Sequence, residues 1–317
     1  MSVMRVSFRD FWPGFRPDDF FLPLLRMGLM DAGARPRELQ VVAPWAPCDL
    51  EIVSVFPQGI GARRRLANAT RRVLGRSNLE ASRIGMPSPW AHRSVWFTAE
   101  NRRPPLAPWQ ATWSFEADSD LARNCAFPLW YLLFPELVGL PSETISPENR
   151  SGRPLTLELA TSPRSADVNE RKKFACAFIG NAEPTRMRAI EALRGIGEVD
   201  VYGPSTGTVV PDKWQVARDY RFMLCFENSV TPGYVTEKVF DAWSCGTIPI
   251  WNGIDRDGYL NPSALVNLAQ LEGSLEALTE RIGQLMDDPD EQVRIAGAPI
   301  LLRRPDLSRI LSSLHWA

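Results

Sequence analysis

The chain reads as an α/β protein with two parallel-sheet domains, and three observations predict this. Short apolar runs alternate along the chain with longer amphipathic segments, the pattern of strands linked by crossover helices. Runs such as "FACAF" and "FMLCF" are apolar without alternation, as expected of parallel strands covered on both faces. A chain of 317 residues, 44% of them hydrophobic, also exceeds one ordinary core.

In chain order, "MRVSF" is a strand and "DDFFLPLLRMGLMDAG" an amphipathic helix. "LEIVSVF" is a second strand, "ARRRLANATRRVLGR" an Arg-rich helix, and "SVWFTAEN" and "ATWSF" further strands. The Pro-rich, polar stretch "LPSETISPENRSGRP" ends a first unit. The second begins with the strand "KKFACAFIGN" and continues through the helix "EPTRMRAIEALRGIG", the strands "VDVYG" and "RFMLCFEN", a helix from about Tyr234, and the strand "TIPIW". Two such sheets are expected to leave a cleft between them. There is no internal repeat or low-complexity tail.

Composition narrows the chemistry. A net charge of -1 gives no global attraction to nucleic acid, and no recognition motif accompanies the local basic run. The five cysteines are odd in number and scattered through apolar runs, as reduced core thiols of a cytoplasmic protein would be. No apolar stretch reaches the roughly 20 residues of a membrane span, and the amino terminus lacks the signal-peptide pattern. Two histidines, His92 and His315, stand outside any metal-ligand spacing, which leaves acid-base work to carboxylates. The Asp-x-Asp matches at 118–120, 255–257 and 288–290 lie in turn-like polar stretches and read as solvated loops rather than a metal site. The Arg-rich segment 63–76 reads as the solvated face of a helix with Leu66, Ala69 and Val73 inward. Its functional reading is contact with an anionic surface at the inner face of a membrane.

One stretch concentrates chemistry: "ENSVTPGYVTEKVFDAWSCG". A strand ends at Asn228, a turn-rich loop follows, and a helix carries Val235, Val239, Ala242 and Trp243 on one side with Gly246 as its stop. Glu237 and Lys238 then fall in the first helical turn, at the carboxyl end of a parallel strand, where open α/β sheets bind ligands. Free amides, the helix dipole and Lys238 favour phosphate there, and a carboxylate beside phosphate suits ribose hydroxyls. The competing reading is that Glu237 complements the dipole and Lys238 is its solvated neighbour.

"FENSVTPGYVTEKVFDAWSCGTIPIWNG" resembles the donor-binding motif of the α-1,3/α-1,4-fucosyltransferases, glycosyltransferase family 10, with its Phe-Glu-Asn-Ser start and Tyr-x-x-Glu-Lys centre. "KKFACAFIGNAEPTRMRAIEAL" and "VDVYGPS" are similar to the start of the same domain. "VWFTAENRRPP", "ATWSF" and "FPLWY" are similar to the family's amino-terminal domain, and "FRDFWPGFRPDDFFLPLLR" resembles its bacterial members. The resemblance implies a GT-B fold of two facing Rossmann-like domains. Residues 1–155 would bind the acceptor, 156–300 would bind GDP-fucose, and a C-terminal helix in 301–317 would pack back on the first domain.

The implied activity is inverting transfer of L-fucose from GDP-fucose to an oligosaccharide or glycoconjugate hydroxyl in α-1,3 or α-1,4 linkage, with no cofactor or metal. By position, Arg186 corresponds to the family's phosphate-binding arginine, with Arg188 one register step away. Tyr234, Glu237 and Lys238 correspond to the donor-binding residues, Asn228 lies in the loop beside the donor, and Glu100 corresponds to the general base. Ala99 stands where the family usually has Gly. Trp12, beside Pro13-Gly14 in an otherwise core-like aromatic cluster, could stack on an acceptor sugar. The alternatives are a GT-B enzyme using another nucleotide sugar and a non-catalytic glycan or sugar-nucleotide binder.

Overall fold

A computed structural model describes residues 3–31, 38–56, 86–105, 109–120, 123–144, 155–204 and 206–315. The Arg-rich segment 63–76 lies outside the described residues. The chain divides into two compact units, residues 1–127 with 307–317, and residues 128–306.

The first unit is built on a six-stranded parallel sheet of order β2-β1-β3-β4-β5-β6. Its strands are β1 (Val3–Arg9), β2 (Glu38–Val42), β3 (Cys48–Val53), β4 (Ala91–Phe97), β5 (Ala111–Ser114) and β6 (Asn124–Ala126). Helix α1 (Phe21–Asp31) links β1 to β2. Phe11, Phe21, Phe97 and Phe127 are almost fully buried and pack ring against ring beside the sheet.

The second unit carries a five-stranded parallel sheet of order β11-β10-β9-β7-β8. In chain order it contains α2 (Leu157–Thr161), β7 (Lys173–Phe178), α3 (Pro184–Arg194), β8 (Val199–Tyr202), α4 (Lys213–Ala217), β9 (Tyr220–Leu224), α5 (Glu237–Ser244), β10 (Ile248–Trp251), β11 (Val266–Asn267), α6 (Leu275–Asp287) and α7 (Pro289–Gly297). The unbroken apolar runs are its central strands. Ala175, Ala177, Phe222, Leu224, Ile248 and Ile250 pack under Ala189, Ile190 and Leu193 of α3 and Leu278, Ile282 and Leu285 of α6.

The expected boundary at 155/156 moves to 127/128. Phe127 directly follows the last strand of the first sheet, and Trp130, three residues on, stacks on Phe240 of α5 at 5.1 Å. At the other end, Leu301 donates its N–H to Ala160 and stays with the second unit. The terminal helix α8 (Ser308–Ser312) belongs to the first, where Trp113 donates its indole N–H to Ser313 at 3.0 Å and Arg309 pairs with Asp120 at 3.0 Å.

Candidate functional site

The second sheet reverses direction between β7 and β9: the chain steps from β7 to β8 on one side, then crosses to β9 on the other. Loops leaving the carboxyl ends of two such strands part in opposite directions and open a crevice. A cavity of about 260 Å³ lies there, walled by Gly180 and Asn181 after β7, Phe226 and Asn228 after β9, and the side chains of Arg186, Lys213, Glu237 and Lys238.

Each helix that supplies a wall is placed by its cap. Helix α3 begins with Pro184 at its first position, and Glu183 caps it, accepting from the amides of Thr185 and Arg186 at 3.0 Å each. Burial works against the Glu183 charge, but these bonds hold its pKa below the usual carboxylate range. Those amides are therefore committed to the protein's own carboxylate. Arg186 is 4% exposed and donates to the carbonyls of Asn181 and Phe226 at 2.7 Å each, and to the Glu227 carbonyl and Asn228 Oδ1 at 3.3 Å each. Its guanidinium ties the loop after β7 to the loop after β9. Burial lowers its pKa, partly offset by Glu183 and Glu227. Arg188 is exposed and does not line the cavity.

Helix α5 starts at Glu237 rather than near Tyr234, because Thr236 is extended and held from outside the helix. Its N–H and hydroxyl both donate to the Glu227 carboxylate, at 2.9 and 2.7 Å, so the hydroxyl does not cap α5. Glu227 also accepts the Trp251 indole N–H at 3.3 Å. Lys238 lies 2.9 Å from Thr236 Oγ1, 3.4 Å from Glu237 and 3.5 Å from Glu227. Burial opposes the Lys238 charge, but Glu237 and Glu227 outweigh it and raise the pKa above the usual lysine value. For Glu227 burial dominates and raises the pKa, whereas for Glu237 burial is overcome by Lys238 and the pKa is lowered. Tyr234 is buried in the loop ahead of this network.

Four of the residues expected from sequence thus share one cavity wall: Arg186, Asn228, Glu237 and Lys238. Glu100 and Trp12 belong to the first unit. Glu100 follows β4, its backbone fixed by the Thr98 hydroxyl, which accepts the Glu100 N–H at 3.1 Å and donates to its carbonyl at 2.9 Å. Ala99, in the usual Gly position, is buried. Trp12 follows β1 beside the first sheet's own reversal, between β1 and β3, and is half-buried against Phe11, Phe15 and Phe56. It is a partner in the aromatic core more than an open platform.

The Asp-x-Asp aspartates do local work. Asp118 accepts the Ala126 amide and Asp120 pairs with Arg309; Asp255 accepts the Leu260 amide and Asp257 pairs with Arg256; Asp288 caps α7. Among the described residues no group of three or more His, Cys, Asp or Glu is placed to hold a metal ion, and no helix is long and apolar enough to cross a membrane. Sequence reasoning missed Glu227 and Lys213. Glu227 did leave a signal, as the one charged residue between Arg221 and Glu237.

Residues 168–294 match the family model described as "Glycosyltransferase family 10 (fucosyltransferase) C-term". The chain is 32% identical over 109 residues to 4-galactosyl-N-acetylglucosaminide 3-alpha-L-fucosyltransferase 9 of Rattus norvegicus, covering 33% of this chain and 30% of that protein. It is 33% identical over 129 residues to Alpha-(1,3)-fucosyltransferase C of Drosophila melanogaster, covering 38% of this chain and 30% of that protein. The chain thus spans under a third of the length of these curated relatives. The crystal structure of an alpha1,3-fucosyltransferase with GDP-fucose superposes with a TM-score of 0.64 at 19% identity, over 98% of this chain and 89% of that one. At that identity the likeness carries the fold, two parallel-sheet α/β units of the GT-B type. The match over 168–294 contains the whole cavity wall, so the segment that lines the cavity is similar to the C-terminal domain of glycosyltransferase family 10.

Proposed function

We propose that the chain transfers L-fucose from GDP-fucose to a glycan hydroxyl, in α-1,3 or α-1,4 linkage and with inversion at the anomeric carbon. The observation that carries this reading is the cavity at the β7/β9 reversal, where Arg186, Lys238 and Glu237 converge within the segment that matches the family 10 model. A solved alpha1,3-fucosyltransferase of the same fold is described with GDP-fucose, which supports this donor.

Inverting transfer is an in-line displacement through an oxocarbenium-like state, in which the diphosphate gains charge while the acceptor hydroxyl loses a proton. Arg186 and Lys238 would stabilise the departing diphosphate by charge-assisted hydrogen bonds. The amino end of α5, which has no side-chain cap from Thr236, adds amide donors and a favourable dipole. Glu237, at the first position of α5, would accept from the ribose hydroxyls, and Glu100 would take the acceptor proton as general base. The fork of Arg186 and the ammonium of Lys238 supply the cationic stabilisation that a metal provides in other transferases, and no metal is required in this reading.

The test is a panel of nucleotide-sugar donors against a glycan-acceptor array, scored for nucleotide release and product linkage, with and without EDTA. Fucose transfer from GDP-fucose that survives EDTA is the expected result. Transfer from a different nucleotide sugar alone would overturn the donor assignment. Activity lost with EDTA and restored by Mn²⁺ or Mg²⁺ would overturn the metal-free mechanism.

A further inference from the structure

The cavity wall holds a third cation that the assignments above leave without a role. Lys213, the first residue of α4, is exposed and lines the cavity with Arg186 and Lys238. The three differ in what already occupies them. The Arg186 guanidinium spends its terminal nitrogens on four oxygens of its own chain, and the Lys238 ammonium has three oxygens within 3.5 Å. Lys213 makes no hydrogen bond and no ion pair among the described residues. It shares that lining with Glu237, whose pKa it helps to lower.

Formal charge sharpens the point. Of the charged residues that line the cavity, Arg186 and Lys238 are balanced by Glu237 and Asp241. Without Lys213 this group of side chains has no net charge and so no net attraction for a multiply charged anion. With it the lining carries one net positive charge, on an ammonium whose three N–H donors are uncommitted to the protein. A lysine ammonium is a donor-only point charge on a long flexible stem, suited to phosphate oxygens and indifferent to the edge of a base.

We propose that Lys213 binds the diphosphate of the nucleotide in this cavity, as the cation that gives the site its net attraction for the anion. The proposal rests on the reading of the cavity as a nucleoside-diphosphate site. The step is binding and charge stabilisation, with no covalent bond to Lys213. It also gives Glu237 a second cation beside Lys238, which helps keep its carboxylate ionised to receive hydroxyl donors while Lys238 turns toward phosphate.

The test is calorimetric titration of the full chain with GDP, inorganic pyrophosphate and guanosine, comparing wild type with Lys213→Gln and Lys213→Arg, alongside a thermal melt of each. Lys213→Gln should weaken GDP and pyrophosphate about tenfold, the scale of one solvent-exposed charge-assisted contact, and leave guanosine and the melting temperature unchanged. Lys213→Arg should restore most of the loss. Wild-type GDP binding that is unchanged in Lys213→Gln would overturn the role of Lys213 alone, and equal losses for guanosine and GDP would place Lys213 on the nucleoside instead. Failure of the wild type to bind either GDP or pyrophosphate would overturn the reading on which the proposal rests.

Discussion

Arg186→Lys keeps the positive charge and removes the fork, so it asks whether geometry or charge matters at this position. Arg186 reaches the Asn181 carbonyl with one terminal nitrogen and the Phe226 carbonyl with the other, each at 2.7 Å. A single ammonium cannot span both loops, so one of the two bonds is lost and its carbonyl stays buried. One charge-assisted bond is worth about 1.5 to 3 kcal/mol. Arg186 is only 4% exposed, so solvent screening discounts little of it. A loss of about 2 kcal/mol lowers the melting temperature of a domain of this size by about 4 to 8 °C. If the same guanidinium also meets the diphosphate, GDP affinity should fall a further ten- to hundredfold, about 1.5 to 3 kcal/mol. Differential scanning calorimetry and GDP titration on one preparation read both numbers. A lower melting temperature with unchanged GDP affinity would make Arg186 a latch between loops and refute its donor role. Unchanged values for both would refute the reasoning altogether.

Three further outcomes are expected. Glu227→Gln should lower the melting temperature, because it removes a buried charge from Lys238 while keeping an acceptor for Thr236, yet GDP should bind the folded protein no worse; a tenfold weaker GDP with an unchanged melt would contradict the anchoring role. Lys238 has a folded pKa raised above its unfolded value, so its stabilisation is complete below about pH 10.4 and lost as pH rises through the folded value. The melting-temperature gap between wild type and Lys238→Met should therefore narrow above about pH 10.4, and a gap that stays constant to pH 12 would contradict the pairing. Glu100→Gln should leave GDP affinity unchanged and cut turnover by about 10² to 10⁴; wild-type turnover in that variant would shift attention to Glu116, which follows β5 and pairs with Arg103 at 3.5 Å.

The elements that proved legible are those whose burial is written in the chain. The strands β7, β9 and β10 are unbroken apolar runs, and α3 carries Ala189, Ile190 and Leu193 at helical spacing. Strands β2, β6 and β11 left no such trace. Glu38–Val42 is an edge strand with no buried residue, and Asn124–Ala126 and Val266–Asn267 are too short to show a period. The start of α5 was misplaced because what ends the loop is not local: Thr236 is fixed by a carboxylate nine residues upstream. The same holds for the site. Glu237 and Lys238 announce themselves by adjacency, whereas Lys213 stands far from both in the chain and joins them at the cavity only through the fold.

The network also explains why a glutamate and a lysine stand side by side at the mouth of an apolar helix. A lone Lys238 beside Arg186 would face like charge across a partly buried pocket, which costs stability in proportion to the low local dielectric. Glu227 and Glu237 remove that cost by holding the ammonium at 3.5 and 3.4 Å. The two carboxylates differ in how tightly they are bound. Glu227 is fully buried and fixed by Thr236 and Trp251, so it cannot leave; Glu237 is 37% exposed and held chiefly by Lys238 itself. On the proposed nucleotide reading, an arriving diphosphate would displace Glu237 from Lys238 without disturbing Glu227, and the displaced carboxylate would be released to the sugar that accompanies the phosphate. On this argument phosphate and ribose recognition are coupled through one ammonium. A double-mutant cycle of Lys238→Met with Glu237→Gln should then be non-additive for GDP and pyrophosphate alike, because carboxylate and phosphate compete for one ammonium, while Glu237→Gln alone should weaken GDP but not pyrophosphate, since only GDP brings a ribose to the released carboxylate.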